Sequence, residues 1–175
     1  MAELSALMSI CPPPPDPPPL RTGRSASVGV RTPDGHSEMV KVYGTGCFDE
    51  FLWIFAEGAE RENLDIAFRT AEAREIFRGK KMPLLREALS GLGCTPEELI
   101  QWGVTDNGDS LLWIPVGNPD DWSTVVLQAG QLDFSIFSKS STGLIFDLLS
   151  GSLRLRIFPE DFPSPHPEFS PDPYA

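Results

Sequence analysis

Hydrophobic residues in the first half of the chain recur mainly at the three- and four-residue spacing of an amphipathic helix. Leu4, Leu7 and Met8 share one face of a short N-terminal helix, which we expect to end at Cys11 because prolines follow. The same periodicity predicts three more helices. They begin near Pro33, Asn63 and Pro83 and end at Gly44, Gly79 and Gly93, respectively.

Short apolar runs bounded by turn residues predict the strands. Residues 111–114 are apolar without polar alternation, which is typical of a strand covered on both faces. The Asn107-Gly108 pair before them favours a reverse turn, because both residues tolerate positive φ. Further strands are predicted at residues 51–55, 124–127, 132–136 and, at a sheet edge, 153–157, with a helix between the last two that is capped by Ser141 or Thr142 and closed by Gly151.

Proline-rich segments lie near both ends of the chain. Seven of the eight residues from 12 to 19 are proline, which enforces an extended connector or, alternatively, a ligand for a proline-reading domain. Residues 20–27 have no periodicity, and five prolines between positions 163 and 173 predict disorder there. The chain therefore divides into an N-terminal helix and connector (1–27), one folded domain (28–162) and a disordered tail (163–175).

The overall composition is that of a single cytoplasmic domain. The chain has 175 residues, of which 41% are hydrophobic, and no apolar stretch approaches the roughly 20 residues needed to cross a bilayer. The first residues lack the basic start of a secretory signal. Cys11, Cys47 and Cys94 are scattered thiols that favour a reducing compartment.

The net charge of -11 restricts the classes of partner. Nucleic acids and anionic membranes attract clustered Lys and Arg, so both are excluded as partners. Residues 106–175 contain ten acidic and three basic side chains, so the negative charge is concentrated towards the C-terminus. This charge either maintains solubility or attracts a basic protein.

No motif in the chain predicts a catalytic, cofactor or metal site. His36 and His166 are the only histidines, and neither has a cysteine at zinc-ligand spacing. The segment 106–109 is a turn and not a calcium loop, because Gly117 stands where the twelfth-position glutamate belongs. An enzyme would require His36, Cys47 and an acidic residue to converge in one pocket.

A series of short motifs extends over most of the chain. In order, they are Ile10-Cys11-Pro12-Pro13-Pro14-Pro15-Asp16, Val28-Gly29-Val30-Arg31-Thr32-Pro33-Asp34, Val42-Tyr43-Gly44-x-Gly46, Trp102-Gly103-x-Thr105-x-x-Gly108-Asp109 with Trp113, Pro119-Asp120-Asp121-Trp122, and Leu149-Ser150-Gly151 with Phe158-Pro159-x-Asp161-Phe162-Pro163. With these motifs the chain resembles the SUKH superfamily, the immunity-protein and cell-wall-regulator-like group abundant in actinobacteria. Thr32 replaces the usual Leu, and His36 stands where an aromatic residue is expected.

The resemblance implies an α+β fold, a single domain with a mixed, mostly antiparallel sheet flanked by helices. It also implies a non-enzymatic role, in which the protein binds a toxin and blocks its active site or substrate channel. Many such toxins are basic nucleases or deaminases, which an acidic partner suits electrostatically. The alternative is a cytoplasmic regulatory or scaffold module that has no toxin partner.

The residues expected to meet a protein partner lie at two turns near the tryptophans. Aspartates carry the charge at both turns, and an indole beside the second turn is the candidate aromatic anchor. These residues are Asp106, Asp109, Asp120, Asp121 and Trp122. The remaining tryptophans, Trp53, Trp102 and Trp113, are predicted to pack in the core of a monomer or weak homo-oligomer.

Overall fold

A computed structural model of the protein describes residues 2–17 and 31–171. Its five α-helices are α1 (Ala2–Ile10), α2 (Asp34–Tyr43), α3 (Ile66–Arg78), α4 (Pro83–Ser90) and α5 (Ser141–Ser150). Its seven strands are β1 (Gly46–Phe48), β2 (Leu52–Ile54), β3 (Ile100–Thr105), β4 (Ser110–Ile114), β5 (Ser123–Leu127), β6 (Phe134–Phe137) and β7 (Phe169–Pro171). Short 3₁₀ turns occupy Glu62–Leu64, Pro96–Glu98 and Pro119–Asp121.

The seven strands form one antiparallel sheet in the order β6-β5-β4-β3-β2-β1-β7. Helices flank this sheet, so the predicted single-domain α+β fold is confirmed. From β1 to β6, strands that are neighbours in the sheet are also consecutive in the sequence. Turns or helical segments join each of these strands to the next. Only β7 returns from the C-terminal segment to lie beside β1.

The hairpin of β3 and β4 forms the centre of the sheet. The predicted turn at Asn107-Gly108 is confirmed, because Gly108 has φ +87° and its N–H donates to the Thr105 carbonyl at 2.9 Å. The strand register shifts between Gln101 and Gly103, and Trp102 lies in this irregularity. Gly103 permits close strand packing, because a Cβ there would lie 2.6 Å from the Trp53 carbonyl oxygen.

The sheet is covered on both faces, as the apolar run 111–114 predicts. Leu111 and Trp113 belong to a core that includes residues of α1, α2 and α5, whereas Leu112 and Ile114 pack with residues of α3 and α4. Successive side chains of a strand point to opposite faces, so β4 contributes to both cores. The faces differ in the helices that cover them, and the candidate site described below lies on the α1, α2 and α5 side.

Several predicted boundaries shift in the structure. α3 begins at Ile66 and not at Asn63, because the Asp65 carboxylate accepts the Phe68 N–H and caps the helix. α5 is capped by Ser140, whose hydroxyl accepts the Gly143 N–H at 3.0 Å, and not by Ser141 or Thr142. Both differences follow from which oxygen reaches the free N–H groups of the first helical turn.

The strand predicted at residues 153–157 is wrong. This segment forms turns, in which the Leu153 N–H donates to the Asp147 carbonyl and the Phe158 N–H donates to the Leu155 carbonyl. Its apolar side chains pack against the core as loop residues. Alternation of apolar and polar residues therefore reflects one buried side of a loop here.

The prediction of disorder from residue 163 is also wrong for residues 163–171. β7 pairs with β1, and the Phe169 ring lies 4.8 Å from that of Phe48 and 5.0 Å from that of Tyr43. Asp49 accepts hydrogen bonds from the N–H and the hydroxyl of Ser164. Prolines are tolerated here because β7 is an edge strand, with backbone partners on one side only.

The folded body thus extends to Pro171, beyond the predicted boundary at residue 162. It also includes α1, because this helix packs against α5 and Leu7 is completely buried. Residues 18–30, including the segment 20–27 expected to be loose, and residues 172–175 lie outside the described residues.

We predict that Phe169→Ala lowers the free energy of unfolding by about 2 kcal/mol, since it removes a half-buried ring from an aromatic cluster. Urea unfolding at neutral pH measures this change. The matched control is Ser170→Ala in the same strand. The Ser170 side chain is exposed, so this substitution should leave the free energy of unfolding nearly unchanged. Equal stability of the two variants would mean that β7 does not contribute to the fold.

Candidate functional site

A cleft opens on the α1, α2 and α5 side of the molecule, where the start of α2 meets the N-terminal end of α5. Its volume is about 290 Å³. Four segments that are distant in the sequence contribute to its walls. The lining residues are Glu3, Leu4, Pro33, Asp34, Gly35, His36, Glu38, Trp113, Pro119, Asp120, Trp122, Ser140, Ser141 and Thr142.

The imidazole of His36 joins the helices at the base of this cleft. Its Nδ1 atom lies 2.9 Å from the Ser141 hydroxyl, and its Nε2 atom lies 2.8 Å from the Phe55 carbonyl oxygen. A carbonyl can only accept, so Nε2 carries the proton and the Ser141 hydroxyl donates to Nδ1. The side chain is 1% exposed, and both of its nitrogens are satisfied within the fold.

Burial lowers the pKa of His36 to about 4, although the hydrogen bond to the Phe55 carbonyl opposes this shift. The ring also packs edge-on against Trp113, with 4.8 Å between the ring centroids. At neutral pH the imidazole is therefore uncharged. In its neutral form the imidazole links α2 to α5 and to the segment after β2 through these two hydrogen bonds.

A serine hydroxyl on a histidine suggests a nucleophile and its base, but this pair is poorly suited to that chemistry. Ser141 is 2% exposed, and the depressed pKa of His36 makes the ring a weak base at neutral pH. Cys47, the nucleophile in the enzymatic alternative, directs its thiol to the Phe48 carbonyl, and burial raises its pKa to about 12. The His36 nitrogens are bonded to Ser141 and Phe55, and the Cys47 thiol to Phe48, so neither side chain is a hydrogen-bond partner of the other.

Two indoles form the wall of the cleft. Trp113 is 1% exposed and Trp122 is 8% exposed, with 6.0 Å between their ring centroids. The Trp122 indole N–H donates to the Gly117 carbonyl. The Trp102 ring stacks against Trp113, with 6.1 Å between the ring centroids. Core positions are therefore confirmed for Trp102 and Trp113. Trp122, the predicted surface anchor, is instead largely buried and reaches solvent only as part of the cleft wall.

Carboxylates surround the mouth of the cleft, and hydrogen bonds hold two of them in place. Asp120 Oδ1 accepts the Asp34 N–H at 3.0 Å, which supplies the start of α2 with a cap that Pro33 lacks. Glu3 accepts the Ser140 hydroxyl at 2.5 Å beside the start of α5. A Cβ at Gly143 would lie 2.8 Å from the other Glu3 oxygen, so the glycine gives this carboxylate room.

The five residues predicted to meet a partner lie in two groups. Asp106 and Asp109 lie at the start of β4, whereas Asp120, Asp121 and Trp122 follow its other end, about 13 Å away along the strand. Of the five residues, Asp120 and Trp122 line the cleft.

Asp109 is a structural residue. It is 2% exposed, and its carboxylate accepts the Thr105 hydroxyl at 2.8 Å and the Ala129 N–H at 2.9 Å. Its prediction as a partner-binding residue is wrong because the β3–β4 turn uses the carboxylate internally. Asp106 is exposed but accepts the Trp53 indole N–H at 2.8 Å, and Asp120 and Asp121 are exposed near the cleft.

Sequence inspection missed the residues that build the cleft, Glu3, Asp34, Glu38, His36 and Ser141. The resemblance motif that ends at Pro33-Asp34 pointed to one of them, and His36 stood out as a departure from the family pattern. Nothing in the sequence placed Glu3 or Ser141 beside them. Their proximity arises from the packing of α1 and α2 on α5.

Two further cavities lie among the described residues outside this cleft. One, of about 480 Å³, lies between Asp49, Glu50, Asp161 and Glu168, and the other, of about 300 Å³, is bordered by Trp53 and Arg69. Within residues 2–17 and 31–171, no group of three or more His, Cys, Asp or Glu side chains is arranged to hold a metal ion. The first of these cavities has no indole in its lining, and the second has one indole and one carboxylate, Trp53 and Asp106, beside two arginines, Arg61 and Arg69.

No family model, curated protein or solved structure matches this chain. In the described part of the chain, every helix is too short or too polar to cross a membrane. Function is therefore inferred from the fold, the charge and the geometry of the cleft.

We predict that His36 makes the protein less stable as the pH falls. Its pKa is lower in the folded state than the ordinary 6.5, so the unfolded state binds a proton first as the pH falls. The contribution of His36 to the free energy of unfolding is therefore complete above about pH 6.5 and is lost towards pH 4. Between about pH 7 and pH 5 we expect a loss of about 2 kcal/mol from this residue, measured by urea unfolding.

The pH dependence is tested with two matched variants. His36→Gln should remove this component of the pH dependence, whereas His166→Gln should retain it, because the His166 side chain is exposed. If the free energy of unfolding of His36→Gln still fell between the two pH values as much as that of the unmodified protein, the loss could not be assigned to His36.

Proposed function

We propose that this protein is a bacterial immunity-type protein, similar to the SUKH superfamily, that binds a protein toxin and neutralises it by forming a stoichiometric complex. In this proposal it acts in the cytoplasm and performs no reaction of its own. The α+β fold agrees with the architecture that the sequence resemblance implies. The net charge of -11 suits a basic toxin such as a nuclease or deaminase.

The observation that supports this proposal most directly is the cleft with carboxylates at its mouth and indoles in its wall. Buried aromatic residues beside charged groups are typical of the energetically important centre of a protein interface. Asp34, Asp120 and Asp121 are exposed at the same end of the molecule. They give this surface the sign that attracts a basic partner and accelerates association.

The cleft also has the rigidity expected of a preformed binding surface. Hydrogen bonds from the Ser141 hydroxyl to His36, from the Asp34 N–H to Asp120 and from the Ser140 hydroxyl to Glu3 link its walls. A surface that is ordered before binding loses less conformational entropy when the complex forms. The geometry therefore favours tight docking over catalysis, because its buried serine and histidine are used to hold the helices.

The proposal is tested by co-expression with toxins encoded beside the gene for this protein. We expect cells that express such a toxin to regain growth when this chain is present, and the two proteins to co-purify as a complex of fixed stoichiometry. An inactive toxin variant that still binds serves as the control for complex formation without toxicity. Failure of rescue and of complex formation with every adjacent toxin would contradict the proposal, and housekeeping neighbours would favour the scaffold alternative.

We predict that Asp121→Lys weakens toxin binding by about fivefold at ~50 mM salt and by less than about twofold at ~500 mM, because salt screens exposed charges. Calorimetry at the two salt concentrations measures both values. Glu160→Lys makes the same change of charge at an exposed position outside the cleft and should have a smaller effect. Equal affinities for Asp121→Lys and the unmodified protein at both concentrations would remove Asp121 from the interface.

A further inference from the structure

We propose that the cleft binds one basic side chain of the protein partner, and that an arginine guanidinium fits it best. This inference rests on the proposed function and specifies the chemistry at its site. It follows from three properties of the cleft, which are its aromatic wall, its charge and its size.

The aromatic wall consists of the Trp113 and Trp122 indoles, which lie 6.0 Å apart at an interplanar angle of 53°. A cation close to the face of an indole is attracted by the negative potential of the ring, and tryptophan is the strongest aromatic partner for this contact. A guanidinium also stacks on aromatic faces through its planar, delocalised structure. Trp113 is 1% exposed and Trp122 is 8% exposed, so Trp122 supplies most of the aromatic surface that is open to the cleft, and this surface favours a flat cation over a compact, strongly hydrated one.

The charge at the mouth is negative and comes from three structural elements. Among the described residues that line the cleft, four carry carboxylates, Glu3, Asp34, Glu38 and Asp120, and none is Lys or Arg. Two lysines outside the lining form ion pairs, Lys41 with Glu38 and Lys139 with Asp147. The Lys41–Glu38 pair is solvent-exposed and therefore weak, so Glu38 retains attraction for a cation.

The cleft retains hydrogen-bond acceptors besides the oxygens that link its walls. Asp120 uses Oδ1 for the Asp34 N–H, and each carboxylate has a second oxygen with further lone pairs. The Asp34 side chain itself is exposed at the mouth. A guanidinium presents five donors in a fixed plane, which matches carboxylates on two sides of a narrow opening.

The size of the cleft limits the occupant. Its volume of about 290 Å³ lies at the lower end of the range for small-molecule sites, which is roughly 300–1,000 Å³. A single side chain suits this space better than a large cofactor. Repulsion by the carboxylates disfavours an anion, and a neutral apolar group would desolvate these carboxylates without compensation.

Arginine amide, compared with its neutral isostere citrulline amide, is the probe for this site. In a two-dimensional NMR spectrum of the ¹⁵N-labelled full chain, each tryptophan contributes one indole N–H signal. Arginine amide should shift the signals of Trp113 and Trp122 in a saturable way. The Trp53 signal should not move, because that indole is bonded to Asp106 beyond the other end of β4.

The matched variants separate the cleft from the general negative charge. Asp34→Asn with Glu38→Gln should weaken arginine amide binding at least about fivefold, whereas Glu87→Gln with Glu160→Gln removes the same charge from exposed positions outside the cleft and should change it less than about twofold. If the first pair lowers the melting temperature, Glu38→Gln alone and the salt dependence of binding to the unmodified protein provide the comparison. Binding of arginine amide should then weaken as salt increases.

Three results would overturn the inference. They are equal shifts with citrulline amide, equal weakening by both pairs of variants, and a toxin complex whose affinity is unchanged both by the cleft variants and by excess arginine amide. The last result would leave the proposed function intact while removing the cleft from the interface. Selective binding of arginine amide with no toxin recovered would contradict the proposed function alone.

Discussion

The hydrogen-bonded imidazole of His36 connects the parts of the structure on which the cleft depends. It lies on α2, accepts a hydrogen bond from the Ser141 hydroxyl at the start of α5, and donates one to the Phe55 carbonyl after β2. In a buried environment such bonds are strong, and the loss of one partner would leave a polar group without compensation. The contact with Trp113 adds the sheet to this connection, so the helices and the indole wall are positioned together.

The clustered carboxylates show how the fold tolerates like charges in a small space. Asp120 is held by a backbone N–H at the start of α2, Glu3 by the Ser140 hydroxyl and Glu38 by the Lys41 ammonium. Each of these contacts gives one carboxylate oxygen a hydrogen-bond donor. Under the proposed function, a basic group from a partner would reduce the repulsion among these carboxylates. The same negative charge also favours solubility.

The elements that could be predicted are those in which one local signal decides the conformation. The apolar run of β4 and the Asn107-Gly108 turn before it are present as expected, because burial on both faces and positive φ are properties of those residues themselves. The prediction of a strand at residues 153–157 was wrong because a loop with one buried side shows the same alternation of apolar and polar residues as a strand. β7 was missed because prolines suggested disorder, whereas pairing with β1 and the contacts of Phe169 order the segment.

The sequence by itself determined the central hairpin, most helices and the negative charge, since periodicity, turn chemistry and composition act locally or as a sum, whereas the α+β class was expected only from the family resemblance. Only the tertiary structure decided which acidic residues share a surface. It buried Asp109 in a turn, moved Trp122 into a wall and brought Glu3, Asp34 and Asp120 together from distant segments. The physical reason is that a site depends on distances between side chains, and these distances are set by the packing of α1, α2 and α5 on the sheet, which no local pattern encodes.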